Sequence, residues 1–297
     1  MAQFSDIYNN VADQFGNTST AMITRIKRYI NFTQQDIASR ANFEFLMKKS
    51  FFQCTVPYTT GTVYASGTTL TGVDTTFTSA MVGRKIRIGG ESEYYTISAF
   101  TSTTVLTLDQ SYIGTYDTLA EATTYSIYQD IYSLTSDADK IITLTNPSQS
   151  YKLKHVARQE YDAVEPNPLS TGTPEIWIPA GRDSNNYIQV QLHLIPDDNY
   201  VIYFWYRKRL SDLSADTDIS LIPIKYHKLL YLGAVAQAYE WDGDNQANNY
   251  WAQYENMIGD MINDLESGAE DAVPVLRSID EGVGTSRLRL PPEHFSD

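Results

Sequence analysis

The spacing of hydrophobic residues predicts α-helices at both ends of the 297-residue chain. Within residues 1–46, apolar side chains recur every three or four positions, which is the period of a helix with one buried face. Ser5 suits the N-cap of a first helix, and Gly16 suits its C-terminal stop. A second helix follows Asn17-Thr18-Ser19-Thr20, and Thr33-Gln34-Gln35-Asp36 resembles a capping box that would open a short third helix.

Short alternating runs in the middle of the chain predict β-strands. After Leu46 the chain becomes rich in Thr, Ser, Tyr and Gly, and glycines separate runs such as Arg84-Lys85-Ile86-Arg87-Ile88 at the spacing of a small all-β barrel or sandwich. Every second residue from Ile188 to Leu194 is apolar, as in a half-buried strand. Pro196-Asp197-Asp198-Asn199 then predicts the turn of a β-hairpin that returns through Tyr200 to Tyr206.

Helical spacing returns after Pro223 and predicts an αα-hairpin. The polar run Asp242-Gly243-Asp244-Asn245 separates two apolar stripes, one from Tyr226 to Tyr239 and one from Tyr250 to Leu265. Beyond Ser267 the chain has glycines and prolines but little periodicity. We therefore expect the carboxy-terminal segment to be an extended arm.

These elements together predict an α+β multidomain fold. We expect a helical bundle built from the amino- and carboxy-terminal helices, with inserted antiparallel β-sandwich or barrel modules and an extended C-terminal arm. The predicted segments are residues 1–50 for the first helices, 51–130 for a small inserted β-barrel or sandwich module, 131–221 for an antiparallel β domain, 222–267 for the helical hairpin that completes the bundle, and 268–297 for the arm.

Composition narrows the possible function. The formal net charge is −14 and the pI is near 4.6, which argues against a nucleic-acid clamp because phosphate neutralisation needs a basic face. Cys54 is the single cysteine, so neither an intrachain disulfide nor a cysteine-based zinc cluster can form. No apolar run approaches the ~20 residues that cross a bilayer, and a signal peptide is not evident at the start. The 22 tyrosines favour a scaffold or assembly protein, because tyrosine is enriched at protein interfaces.

The spacing of potential catalytic residues gives no active site. His155, His193, His227 and His294 stand in unrelated contexts, and no zinc-binding, phosphate-loop or nucleophile-elbow motif is present. Scattered carboxylates could supply a glycosidase pair, but sequence alone cannot bring them together. We therefore expect no enzymatic activity, no metal and no cofactor.

Each of two further motifs could either bind a ligand or have only a structural role. Asp242-Gly243-Asp244-Asn245 hints at calcium, but Ala247 and Gln253 stand where an EF-hand loop needs Gly and Glu, so a polar interhelical turn is favoured. Arg84, Lys85 and Arg87 form a basic cluster that could bind sugar or phosphate. A solvated strand face is the favoured interpretation of that cluster.

Charge also marks candidate interface residues. Residues 1–50 carry six basic and four acidic side chains, although the whole chain is acidic. Arg25, Lys27 and Arg28 on the second predicted helix could therefore meet an acidic partner. In the predicted arm, apolar and basic residues alternate in a way that suits strand addition or an apolar groove. These arm candidates are Val275, Leu276, Arg277, Arg287, Leu288, Arg289 and Leu290.

Several motifs at both ends of the chain occur in an order that is typical of one protein family. At the start they are residues 7–12, Asn17-Thr18-Ser19-Thr20, residues 24–31 and Asn42-Phe43-Glu44-Phe45-Leu46. Downstream they are Gly172-Thr173-Pro174, Pro196-Asp197-Asp198, residues 203–207, residues 221–227, Gly233-Ala234-Val235-Ala236 and Tyr239-Glu240. Together they resemble the head-to-tail adaptor proteins of tailed phages, the tail tubular protein A-like family. The resemblance covers roughly residues 1–56 and 130–267, and residues 63–128 resemble a β module that such proteins carry as an insertion.

The resemblance implies a structural virion protein rather than an enzyme. It implies a dodecameric connector ring at the portal–tail junction, assembled in the host cytoplasm, that lines the DNA exit channel. Its expected partners are further copies of the chain, the portal protein, and tail nozzle or tail fibre proteins. Genomic DNA would pass through without specific binding, and no membrane partner is implied.

Two other functions remain open on the sequence. A receptor- or glycan-binding tail protein would explain the Thr- and Tyr-rich β module, and a mass measurement showing three copies would favour it. A tail-associated cell-wall hydrolase would need a carboxylate pair or a metal site, and clearing of peptidoglycan in a zymogram would support it.

Overall fold

The structure, a computed structural model, describes residues 3–149, 151–165 and 167–270. The described chain divides into two compact units. We call Met47–Arg209 the β unit, and the described residues before 47 and after 209 the helical unit. None of the described helices combines the length and the apolar character needed to cross a bilayer.

Five α-helices lie within the described residues. They are α1 (Phe4–Phe15), α2 (Thr20–Arg40), α3 (Arg158–Val164), α4 (His227–Asp242) and α5 (Gln246–Glu270).

Sixteen β-strands lie within the same residues, all in the β unit. They are β1 (Met47–Gln53), β2 (Thr62–Ser66), β3 (Thr69–Val73), β4 (Lys85–Ile88), β5 (Tyr95–Ser102), β6 (Val105–Leu108), β7 (Tyr125–Tyr128), β8 (Ile131–Ser133), β9 (Ala138–Asn146), β10 (Tyr151–Lys152), β11 (Lys154–His155), β12 (Thr171–Gly172), β13 (Ile176–Arg182), β14 (Ile188–His193), β15 (Ile195–Pro196) and β16 (Val201–Lys208).

The predicted fold class, a helical bundle with β modules inserted into it, is wrong. The described chain is mostly β, with several antiparallel sheets including a half-barrel, and the helices form the smaller part. Two of its three apolar cores are enclosed by β-strands. Helical stripes at the chain ends show only which residues those helices bury. They carry no information on how much apolar surface the Thr- and Tyr-rich middle buries for itself.

The first helix is stopped as expected but capped differently. The backbone N–H of Gln3 donates to Asp6 Oδ2 over 2.9 Å, and the backbone N–H of Asp6 donates to the carbonyl of Gln3 over 3.1 Å, so the N-cap is Gln3 rather than Ser5. At the other end Gly16 adopts a left-handed φ of 68°, which confirms it as the C-terminal stop.

Helix α2 runs without a break through the predicted third-helix start. Thr33 and Gln34 are buried inside it, so Thr33-Gln34-Gln35-Asp36 is not a cap. Thr33 Oγ1 donates to the backbone carbonyl of Tyr29 over 2.9 Å, and Gln34 Nε2 donates to the carbonyl of Ser211 over 3.0 Å. The polar side chains that imitated a helix start therefore satisfy groups inside the helix and across the helical unit.

Helices α4 and α5 form the predicted αα-hairpin. Gly243 takes a left-handed φ of 76°, and Asp244 Oδ1 accepts a hydrogen bond from the backbone N–H of Gln246, which confirms the polar turn between the helices. A Cβ on Gly233 would lie 2.4 Å from a Thr33 methyl carbon, so glycine allows α4 to approach α2 closely.

One core of the β unit lies inside a curled six-stranded antiparallel sheet with the order β2-β3-β6-β5-β4-β7. An isolated bridge pairs Val63, in the first strand, with Thr123, just before the last strand, so the sheet forms a half-barrel. Its buried residues are almost all apolar or tyrosine, and they include Ile86, Ile97 and Leu106.

The other core lies between two four-stranded sheets with the orders β1-β16-β9-β10 and β11-β13-β14-β8. The predicted hairpin between residues 188–194 and 200–206 is wrong, because β14 and β16 belong to different sheets. Val190 and Leu192 point into the same core as Ile202 and Phe204, so the alternation was correct while the pairing was not. Between them β15 pairs in parallel with β12, and β11 pairs in parallel with β13.

Candidate interaction surfaces

The three basic residues that the sequence singled out on α2 are not equivalent. The guanidinium carbon of Arg25 lies 3.6 Å from the ring centre of Trp241, in a cation–π contact with α4. Arg28 is exposed, and no ion pair joins it to any residue between 3 and 270 that the structure describes. Of the three, Arg28 is therefore the one that could meet a partner without losing an internal contact.

Lys27 is occupied within the helical unit. Its Nζ lies 2.8 Å from Asp216 Oδ1 and 4.3 Å from the ring centre of Tyr8. The hydrogen bond with Asp216 raises the pKa of Lys27, and the same bond lowers the pKa of Asp216. Lys27 thus stabilises the contact between α2 and the segment before α4.

The candidates in the predicted arm lie outside the described residues. These are Val275, Leu276, Arg277, Arg287, Leu288, Arg289 and Leu290. They stay predictions.

The basic cluster on β4 is neither an exposed ligand site nor a solvated strand face. Lys85 Nζ lies 2.8 Å from Asp130 Oδ2, with the two side chains 14% and 2% exposed. Arg87 is buried, and its Nη2 donates to Asn167 Oδ1 over 2.6 Å and to the carbonyl of Pro168 over 2.7 Å. Burial lowers the pKa of Arg84. Lys85 and Arg87 therefore hold internal contacts, because Asp130, Asn167 and Pro168 lie on their side of β4.

Asp130 joins that cluster to the sandwich. Its Oδ2 also accepts from Gln191 Nε2 over 2.8 Å, and Gln191 is buried on β14. Arg158, at the start of α3, donates to Gln191 Oε1 and to Asp162. The network places a buried ion pair where the half-barrel strand β4 and the sandwich strand β14 come together.

The sheet β1-β16-β9-β10 carries an exposed aromatic and basic surface that the sequence analysis missed. We call it the outer face. Register places Phe51 opposite Tyr203 and Lys49 opposite Trp205. Phe51 is 60% exposed and Trp205 is 42% exposed. Register places Met47, Lys49, Phe51, Tyr203, Trp205, Arg207, Lys140 and Lys152 on it, and we include Ile142 and Asp139, which lie at the two register shifts of β9.

Contacts across the outer face order its aromatic side chains. The rings of Phe51 and Tyr203 are 5.8 Å apart, and Lys49 Nζ lies 4.6 Å from the centre of the Tyr203 ring. Arg207 pairs with Asp139, the one acidic residue of the face. The signal for this surface was present as alternation in 47–51 and 201–207, but only the pairing of β1 with β16 shows that both strands present it on the same side.

A comparison with known protein families identifies the family of this chain. The family described as SU10 adaptor protein matches residues 94–277, which is more than half of the chain. The chain belongs to the SU10 adaptor protein family. No curated protein matches it.

Family membership confirms the resemblance to phage adaptors that the sequence indicated, and it makes this adaptor a structural component of the virion. The match begins in the half-barrel, just before β5, and covers the sandwich strands from β8 to β16 together with α4 and α5. Most strands of the outer face lie inside the matched region of the adaptor, while β1 lies before it.

The adaptor's histidines occupy separate environments. Tyr161 Oη and His193 Nδ1 are 3.0 Å apart, and His227 Nε2 donates to the carbonyl of Ile222 over 2.9 Å. The His155 ring lies against Trp177, and His294 lies outside the described residues. Among the residues described, no group of three or more His, Cys, Asp or Glu side chains is arranged to hold a metal ion.

A groove of about 600 Å³ runs along α1 and the start of α4 in the adaptor. It is lined by Asn10, Asp13, His227, Lys228 and Tyr231, among others. His227 is buried there, and its Nδ1 has no hydrogen-bond partner among the described atoms.

Proposed function

We propose that the adaptor is a subunit of the connector ring that joins the portal to the tail and surrounds the DNA exit channel. The observation that carries the proposal is the family match, which covers the sandwich and the α4–α5 hairpin. The exposed side chains of the outer face support the proposal, because several large apolar side chains exposed on one sheet mark a surface that binds another protein. Portal and tail proteins are the expected neighbours above and below the ring.

The charge of the chain supports a channel role. With a net charge of −14 for each subunit, a ring would present a strongly acidic wall to duplex DNA. Counterion release could not hold DNA against such a wall, so the genome would slide past it. The proposal requires the basic outer face to point away from the channel and toward another protein.

A structural role without catalysis is part of the proposal. Lys85 and Arg87 of the basic cluster are bonded within the protein, so these two cations give no support to the glycan-binding alternative. The three histidines in the described part of the chain each contact a different neighbour, so they give no support to the hydrolase alternative.

Electron cryomicroscopy of purified virions tests the proposal. We expect density for the half-barrel, the sandwich and the helical unit in a closed ring directly beneath the portal, with the DNA path through its centre. A chain located at the fibre tips, in threefold symmetry, would overturn the connector role and favour receptor binding. Particles from a phage mutant that lacks the gene should lose this ring and fail to retain DNA, which serves as the matched control.

A further inference from the structure

The outer face combines two kinds of exposed side chain that call for a partner. Phe51, Trp205 and Ile142 expose apolar surface on one sheet, at 60%, 42% and 41% of their full area. Exposed apolar side chains that cluster on one surface mark an interaction site in a soluble protein. Between and beside them lie the exposed cations Lys49, Lys140 and Lys152.

The charge of this face is opposite to that of the chain. It carries Lys49, Lys140, Lys152 and Arg207 against one acidic residue, Asp139, whereas the whole chain has a net charge of −14. The helical unit, counted over residues 1–46 and 210–270, has six basic and fifteen acidic side chains. The helical unit therefore carries the acidic side chains that would complement the charge of the outer face.

One segment of the helical unit matches the outer face in both properties. Residues 211–224 contain three aspartates and no basic residue; Asp216 pairs with Lys27, whereas Asp212 and Asp218 join no ion pair among the described residues. The same segment exposes Leu221 at 49% and Ile224 at 56%. We call it the acidic segment. Its sequence of carboxylates and exposed aliphatic side chains suits a surface of lysines and aromatic rings.

We propose that the outer face of one subunit binds the acidic segment of a second copy of the chain. Two outer faces would repel each other through their lysines, so a symmetric pairing of like surfaces is disfavoured. A contact between two different surfaces joins subunits head to tail, and such a contact closes into a ring when the rotation allows it. The inference rests on the proposed connector ring and assigns the surfaces that would hold its neighbours together.

A single-site photocross-linking experiment tests this contact. Cys54 is 1% exposed and burial raises the pKa of its thiol to about 12, so it should not react with maleimides in the native protein. Lys49→Cys would then be the sole reactive thiol on the outer face. After labelling with benzophenone maleimide and assembly into particles, illumination should give a species of roughly twice the 33.5 kDa chain mass.

Mapping of the adduct by mass spectrometry decides the partner. We expect the cross-link to join Lys49→Cys of one copy to residues 211–224 of another. Thr78→Cys, exposed on the half-barrel, is the matched control and should not label that segment. An adduct with another virion protein, with DNA, or with a different part of the chain would overturn the inference, and so would the absence of any adduct in particles that contain the labelled variant.

A charge exchange gives an independent readout. Lys49→Glu should lower incorporation into particles by about tenfold, and Lys49→Glu combined with Asp212→Lys should restore it to within about threefold of the parent. Unchanged melting temperatures would show that both variants fold. If electron cryomicroscopy shows the connector ring but the double variant fails to recover, only this contact is wrong. If the chain lies elsewhere in the virion, the proposed function is wrong.

Discussion

Strands β4 and β1 of the β unit carry basic and apolar side chains in a similar alternation but place them in opposite environments. On β4, Lys85 and Arg87 are drawn into the protein and bonded to Asp130, Asn167 and Pro168. On β1, Lys49 and Phe51 face the solvent.

The groups that lie over the face of each sheet explain the difference. On β4, Asp130, Asn167 and Pro168 bond to the side chains of Lys85 and Arg87. On the sheet β1-β16-β9-β10, Phe51 and Trp205 stay 60% and 42% exposed, although β16 has a strand on each side. The comparison teaches that a basic strand is a candidate interface only after the groups that cover its face are known.

The largest effect is expected from breaking the buried ion pair beside β4. Asp130→Asn keeps an acceptor for Gln191 but leaves the ammonium group of Lys85 without its counter-charge. Removing one partner of a buried pair costs about 3–5 kcal/mol. Urea unfolding followed by circular dichroism should show that loss in the free energy of unfolding.

A double variant serves as the control for the ion pair. Lys85→Met with Asp130→Asn removes both charges, and we expect it to be more stable than Asp130→Asn alone. If the single and double variants lose equal stability, the pair does not act as a unit and the contrast between β4 and β1 is weaker than the geometry indicates.

Sequence reasoning succeeded where structure is decided locally. The stop of α1 at Gly16 and the turn at Gly243 depend on left-handed residues and short-range periodicity, and the structure confirms both. The start assigned to a third helix failed because Thr33 and Gln34 find partners at Tyr29 and Ser211, one of them far along the chain.

The outer face and the sheet pairing depend on contacts between distant residues. The turn chemistry of residues 196–199 was read correctly as a change of direction, but the strand beyond it crosses to the other sheet and pairs with β1 and β9. Phe51 and Tyr203 are about 150 positions apart, so no local pattern shows that they share one face. The predicted family is confirmed although the predicted fold class is wrong, because a family resemblance rests on many weak sequence matches along the chain.

An intermediate effect is expected at Arg87, which tests whether the cations of β4 are structural. In Arg87→Met the methionine fills the space of the buried aliphatic part of the arginine side chain. It leaves Asn167 Oδ1 and the carbonyl of Pro168 without their hydrogen-bond donor. Unsatisfied buried groups cost about 1–3 kcal/mol. Thermal unfolding should show a clear decrease in Tm, whereas an unchanged Tm would mean that solvent replaces the guanidinium and that β4 is more open than its burial indicates.

A small effect on stability is expected on β1, because its cation is exposed. Lys49→Met removes the contact with the Tyr203 ring but buries no charge. Surface substitutions of this kind change stability by about 0.5 kcal/mol or less. Measured beside Arg87→Met under the same conditions, a loss at Lys49 as large as that at Arg87 would remove the distinction between the two strands.

The smallest effect is expected at Lys27 and Asp216, the exposed pair of the helical unit, and its pH dependence identifies it. The hydrogen bond with Lys27 holds the pKa of Asp216 below its ordinary value of 3.8, so the stabilisation is present above about pH 4 and lost as pH falls through the lowered pKa. The pKa of Lys27 is raised above 10.5 by the same bond, so the contribution is lost again only at strongly alkaline pH. Asp216→Asn should therefore melt slightly below the parent at pH 7, with the difference disappearing as the pH falls below the lowered pKa of Asp216. Scanning calorimetry at pH 7 and at progressively lower pH measures it, and a Tm difference that persists unchanged in strong acid would show that Asp216 acts through its shape rather than its charge.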